Sequence, residues 1–208
     1  MMLRAGRRLS MLPPVAMLMG LMLWSGCVRS TQPRFYVLTE MPDPTTAASA
    51  EPGRGAAVGV GPVSLPGYLD RLQIVTRRGA ELHFAEFDRW GEPLSEGVPR
   101  AIAAHLAAIL ATDRVVMFPW AAGRTIEYQV VIDVTRFDGV ARGDVLLQAR
   151  WRVLGPDRKE LALRSSSVRE ATGEAGYAAL VAAMNRSLGT LSREIADSVK
   201  GLRAQSAR

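Results

Sequence analysis

Few side chains in this sequence have the types and spacing that chemistry requires. Its one cysteine, Cys27, directly follows Ser25 and Gly26. A thiolate is a nucleophile, so a lone cysteine behind small residues reads as an attachment point, with a buried free thiol as the plainer alternative. It cannot close an internal disulfide. The two histidines, His83 and His105, fall on a predicted strand and a predicted helix, and no Ser or Cys nucleophile in a recognisable motif accompanies them. Both read as solvated or structurally hydrogen-bonded. The patterns G-x-S-x-G, H-E-x-x-H and the P-loop are missing from the sequence. Asp70, Glu86, Asp88, Glu92, Asp133 and Asp144 are available carboxylates, but no spacing singles out an acid and base pair. One cysteine and two histidines are too few for a cluster-type zinc site. Gly59-Val60-Gly61-Pro62-Val63 does not run into a helix, so a dinucleotide-binding turn fails on context. The expectation is a non-enzyme with no catalytic residue, cofactor or metal.

The start of the chain gives Cys27 its context. Residues 1–26 contain Arg4, Arg7 and Arg8 and no acid, then an apolar run from Val15 to Trp24. A positive region, a short apolar region and small terminal residues describe a secretory signal peptide. The run is about ten residues, where a spanning helix needs about 20. Leu23-Trp24-Ser25-Gly26-Cys27 resembles a bacterial lipobox, with Leu23 one place earlier than usual. The resemblance implies lipidation of Cys27, cleavage before it, and anchoring by two or more acyl chains at ~0.8 kcal/mol per buried methylene. Val28 follows the cysteine, which resembles the outer-membrane class of sorting signal. Val28 to Pro33 is then a tether of six residues, spanning ~20 Å at full extension.

The chain of 208 residues is 48% hydrophobic and 22% charged, which suits one globular domain with a sizeable core. The net charge of +6 raises nucleic acid or membranes as partners. Three of the 26 Lys and Arg residues precede Cys27, so the mature chain carries 23 basic and 20 acidic side chains. No nucleic-acid domain is left in that balance. Arg71, Arg77, Arg78 and Arg89 form a basic stretch broken by Asp70, Glu81 and Asp88. It reads as a solvated surface, with contact to lipid headgroups or an acidic partner as the sharper alternative.

The elements that would position these residues follow from periodicity. Strands are predicted at 34–39, 58–65, 73–76, 81–87 and 115–118, with a Pro- and Gly-rich loop at 40–56. Gly59 and Gly61 on the second strand mark a bulge or a close backbone approach. Val98, Ile102, Leu106, Ile109 and Leu110 give residues 92–111 one apolar helical face, with Ser95 as N-cap and Pro99 in the first turn. Ile126, Tyr128, Val130, Ile132 and Val134 alternate, and so do Val145, Leu147, Ala149, Trp151 and Val153. Leu161 and Leu163 continue that alternation after the Gly155-Pro156-Asp157 turn, giving an antiparallel meander with one buried face. Residues 174–202 form a long amphipathic helix. The fold expected is α/β: a mixed or largely antiparallel sheet with a C-terminal β-meander, covered by two main helices over residues 34–203.

One stretch carries a specific resemblance. Residues 60–79, VGPVSLPGYLDRLQIVTRRG, together with Arg89-Trp90-Gly91-Glu92-Pro93-Leu94 and the early Tyr36-Val37-Leu38-Thr39, resemble the PqiC-like lipoproteins, also called the ABC-type transport auxiliary lipoprotein component. Leu72 and Gly91 stand where that family commonly has Pro and Ala. The resemblance implies a lipid-anchored protein on the periplasmic face of the outer membrane. It implies a non-catalytic accessory to an MCE-domain intermembrane lipid transport system that supports membrane integrity, and a homo-oligomeric ring. It also implies that Tyr68, Leu69, Asp70, Arg71, Arg89, Trp90 and Glu92 shape a partner or subunit surface. The alternative is a stand-alone periplasmic lipid- or ligand-binding lipoprotein, which a deep apolar pocket would favour.

Overall fold

A computed structural model describes residues 31–39, 55–140 and 143–206. Cys27, the predicted signal peptide and most of the 40–56 loop lie outside the described residues. The elements run β1 (Arg34–Tyr36), β2 (Val58–Ser64), a single 3-10 turn (Gly67–Leu69), β3 (Gln73–Arg78), β4 (Glu81–Trp90), α1 (Leu94–Ile109), β5 (Val115–Met117), β6 (Tyr128–Gly139), β7 (Asp144–Leu154), β8 (Glu160–Ala171) and α2 (Tyr177–Ser206).

The eight strands form one mixed sheet in the order β1-β4-β3-β6-β2-β5, with β7 on the other side of β6 and β8 beyond it. β3 with β4, β6 with β7, and β7 with β8 are antiparallel. The pairs β1 with β4, β2 with β5, β2 with β6 and β3 with β6 are parallel. β6 is the spine. Its first half pairs β2 from Val58↔Tyr128 to Ser64↔Asp133, and only its last residue pairs β3, at Thr76↔Gly139. The C-terminal meander expected from alternation is β6-β7-β8.

The core is built from two helical stripes on one face of this sheet. Val98, Ile102 and Leu106 of α1, and Leu180, Met184, Leu188, Leu191, Ile195 and Val199 of α2, are buried against Val130, Ile132, Leu147, Trp151 and Val153. Each such side chain contributes about 1.5–3 kcal/mol by leaving water. The opposite face of β6, β7 and β8 exposes Asp133, Thr135, Arg150 and Arg152, the one-sided burial that period-two alternation implies.

Three local expectations are corrected. Pro93, not Ser95, holds the N-cap position of α1, with no side-chain cap. The Pro93 carbonyl accepts from Glu96 and Gly97 N–H at 3.0 and 3.1 Å, so the helix starts before Ser95. Pro99 therefore lies deeper than the first turn, where its ring leaves the carbonyl of exposed Ser95 to water. Leu161 and Leu163 do not continue the buried alternation. They are 40% and 50% exposed, and the inward positions of β8 are Ser166 and Val168. A strand has only two faces, so odd and even residues exchange roles together. Ser166 occupies its buried position because it has partners: the Trp151 indole N–H donates to its Oγ at 2.8 Å, and that hydroxyl donates to the Glu194 carboxylate of α2.

Candidate functional site

The residues of the 60–94 stretch converge on one buried carboxylate that the sequence reading had not singled out. The chain leaves β2, turns at Pro66, and makes one 3-10 turn in which Leu69 N–H donates to the Pro66 carbonyl at 2.9 Å. That turn drives Leu69 into the core, 3% exposed, and leaves Tyr68 half-buried beside it. The Tyr68 hydroxyl donates to Oδ2 of Asp138 at 2.6 Å. Arg77 Nε donates to the same oxygen at 3.0 Å, and Arg136 Nε to Oδ1 at 2.9 Å. The Arg77 guanidinium also lies 5.0 Å above the Tyr68 ring centroid, at cation–π distance. Asp138 is 0% exposed, so its charge is tolerated only because these donors surround it. Burial first, and then the hydrogen bond to Asp138, holds the Tyr68 phenol above its ordinary range. Tyr68 and Asp138 both raise Arg77, which keeps it charged.

The place of this cluster explains its need. Asp138 precedes Gly139, the β6 residue that meets β3. The parallel contact between the two halves of the sheet is thus one backbone pair reinforced by Tyr68, Arg77 and Arg136 around Asp138. A register shift between Val134 and Arg136 brings this about. The extra residue exchanges the faces of β6, so Phe137 points inward after Val134 had done so.

A second carboxylate anchors the start of the domain. Asp88 is buried, and the Arg34 guanidinium grips it with Nε at 2.9 Å from Oδ1 and Nη2 at 3.0 Å from Oδ2. The Tyr36 hydroxyl donates to Oδ1 at 2.9 Å. Burial and that bond raise the Tyr36 phenol, and burial and the nearby Asp88 charge raise Tyr177. Three residues on, Asn185 of α2 accepts from Thr39 N–H at 3.2 Å and donates to Thr39 Oγ1 at 3.1 Å. The segment entering the domain is therefore tied to both β4 and α2.

The other motif residues divide by exposure. Trp90 is core, 2% exposed, like Leu69. Asp70, Arg71 and Arg89 are exposed. Arg71 stacks 4.2 Å over Phe84, and its Nε donates to the Tyr68 carbonyl at 3.0 Å. Glu92 folds over the first turn of α1 beside Gly97 and pairs with Arg100. The basic stretch is likewise split, since Arg77 is engaged inside while Arg78 is exposed.

Among the described residues, the histidines and carboxylates singled out in the sequence have separate partners. His105 is buried with Nδ1 3.4 Å from Ser192 Oγ, and His83 is exposed 3.5 Å from Glu81. Asp133 accepts from Ser64 at 2.5 Å and Asp144 pairs with Arg169 at 3.0 Å, so the carboxylates are distributed among separate partners. Among the described residues no group of His, Cys, Asp and Glu could hold a metal ion, and no buried side-chain nitrogen or oxygen lacks a partner. Among them, too, no helix is long and apolar enough to cross a membrane.

The chain is a two-helix α/β domain on an eight-stranded mixed sheet, with polar clusters that tie its elements together. The sequence pattern of the ABC-type transport auxiliary lipoprotein component family matches residues 36–196, and the chain belongs to that family. It is similar in fold to a crystal structure of an uncharacterized protein, at TM-score 0.66 and 19% identity, covering 81% of this chain and 99% of that one. It is similar also to the crystal structure of protein XCC0632 from Xanthomonas campestris, at TM-score 0.64 and 19% identity, covering 83% of this chain and 99% of that one. No curated protein matches the chain.

Proposed function

We propose that this protein is an outer-membrane lipoprotein, held by acyl chains on Cys27 at the periplasmic face. It works as a non-catalytic accessory subunit, in a homo-oligomeric ring, of an MCE-domain system that moves lipid between two membranes. The observation that carries the reading is the family pattern over residues 36–196 with a lipobox-like Cys27 ahead of it. The anchorage of Arg34 supports it. Six residues separate Cys27 from Arg34, so the two lie at most about 25 Å apart along extended chain, and Arg34 is clamped by Asp88. A pull along the tether would be delivered to β4 and α2. In this reading Asp70, Arg71, Arg89, Tyr68 and Glu92 meet the partner or a second subunit, while Leu69 and Trp90 support that surface from beneath.

The test is affinity purification from gently solubilised envelopes, run beside Cys27→Ser. The native chain should fractionate with the outer membrane and recover an MCE-domain protein as part of an oligomer. Cys27→Ser should leave the membrane fraction or stay unprocessed. A monomer that brings down no MCE-domain protein would sink the accessory role, and unchanged fractionation of Cys27→Ser would sink the anchor.

A further inference from the structure

The two glycines of the Val58–Ser64 strand make room for aromatic side chains. A Cβ on Gly59 would lie 2.8 Å from the Trp120 ring, and a Cβ on Gly61, at φ +118°, would lie 2.8 Å from Phe118 Cβ. The glycines therefore seat two aromatic side chains of the segment after β5 directly against the β2 backbone. The rings meet edge to face, with centroids 5.5 Å apart. Beside them a cavity of about 300 Å³ is lined by Phe118, Trp120, Arg124, Ile126, Gln129 and the turn from Gly155 to Arg158. Its floor is fixed, because buried Gln129 donates from Nε2 to the Gly61 carbonyl at 2.9 Å.

The rim carries positive charge from Arg124 and Arg158. Among the described residues neither Arg124 nor Arg158 makes a side-chain hydrogen bond or an ion pair. The nearby acids are already engaged: Glu127 pairs with Arg114 at 3.1 Å, and Asp157 Oδ1 accepts from Lys159 N–H at 3.1 Å. Arg158 sits at φ +62°, a backbone state that a non-glycine residue adopts only at a cost of about 1–3 kcal/mol. Phe118, which lines the cavity, is 53% exposed, so apolar ring surface stands at its rim.

We propose that this cavity binds a phosphate group carried on an apolar body, as in the head of an acidic phospholipid. The guanidiniums of Arg124 and Arg158 take the phosphate, since a guanidinium fork matches its oxygens. Trp120 and Ile126 pack on the glycerol, and the first acyl carbons run over Phe118. The volume is at the small end for ligand cavities, which suits a head group and not a whole lipid. The site stands on its own geometry and does not depend on the partner proposed above.

Trp120 reports on the site, because Trp90 and Trp151 are buried elsewhere. The chain cleaved before Cys27, which lacks Trp24, is titrated in a non-ionic detergent with dihexanoyl phosphatidylglycerol, dihexanoyl phosphatidylcholine and inorganic phosphate, while tryptophan emission is followed. Phosphatidylglycerol should give a saturable change that is lost in Trp120→Phe, weakens as ionic strength rises, and weakens at least about tenfold in Arg124→Gln/Arg158→Gln. Equal binding of phosphatidylcholine overturns the charge requirement. Equal binding of inorganic phosphate overturns the amphiphile and leaves an anion site. No saturable change with any of the three overturns the site. If the double variant loses its thermal transition, the salt dependence of the native chain and Phe118→Ser decide instead, the latter weakening phosphatidylglycerol alone.

Discussion

The Asp138 cluster and the Trp120 cavity use the same side-chain types to opposite ends. Around Asp138, two arginines and one aromatic residue surround a carboxylate that is fully out of water, and both of its oxygens accept hydrogen bonds. At the cavity, two arginines and two aromatic residues surround empty space. A closed network rigidifies what it joins, here the meeting of β3 with β6. An open one leaves cations and ring surface for something else to satisfy. The motif that identifies the family belongs to the closed kind in Tyr68, Leu69 and Trp90. Arginine near an aromatic ring is therefore no sign of a binding site until its acceptor has been looked for within the chain.

The largest effect should come from emptying the closed cluster. Asp138→Ala leaves Tyr68, Arg77 and Arg136 without their common acceptor. Breaking a buried pair from one side costs about 3–5 kcal/mol. Arg124→Ala, at the open rim, should change stability by no more than about 0.5 kcal/mol. Urea unfolding of the two variants measures both. Equal costs would erase the distinction between the two regions.

A middle-sized effect is expected where the fold makes room for the cavity. Gly59→Val places a branched side chain against the Trp120 ring, and overpacking of this kind costs about 1–3 kcal/mol. The indole must move outward, so the emission of Trp120 should shift to the red while that of buried Trp90 and Trp151 does not. Gly67→Ala is the control, because nothing lies within 4 Å of the added carbon. An unshifted spectrum in Gly59→Val would mean that Trp120 is not seated by this glycine.

How far these regions could be read in the sequence follows from where periodicity survives. The alternation of Tyr128, Val130, Ile132 and Val134 against Val145 to Val153 gave the β6-β7 pair, and the apolar stripe from Leu180 to Val199 gave α2. Asp138 was missed because the shift after Val134 ends the visible alternation four residues before it. Ser166 was missed because a hydroxyl with two partners can be buried, so burial did not follow hydrophobicity on β8. Gly59 and Gly61 were legible as a close approach or bulge. The rings that approach them come from sixty residues on, where Phe118 and Trp120 lie in an irregular segment with no period to read.

The smallest effect separates the regions by proton chemistry. The Tyr68 phenol is raised above its unfolded value of about 10 by burial and by Asp138. Below that value it is protonated in both states, and its contribution is fully present. Above it the unfolded chain loses the proton first, so stability falls until the folded phenol ionises too. Tyr68→Phe removes both the hydrogen bond and this titration. At neutral pH the variant should be about 1 kcal/mol less stable. That gap should narrow as pH rises from about 10 toward 12, because only the native chain pays the alkaline penalty at this position. Tyr36 and Tyr177, raised at the Asp88 anchor, add the same slope to both chains and cancel in the difference. A gap that stays constant through the alkaline range would take the Tyr68 proton out of the Asp138 cluster and leave its arginines as the connection between β3 and β6.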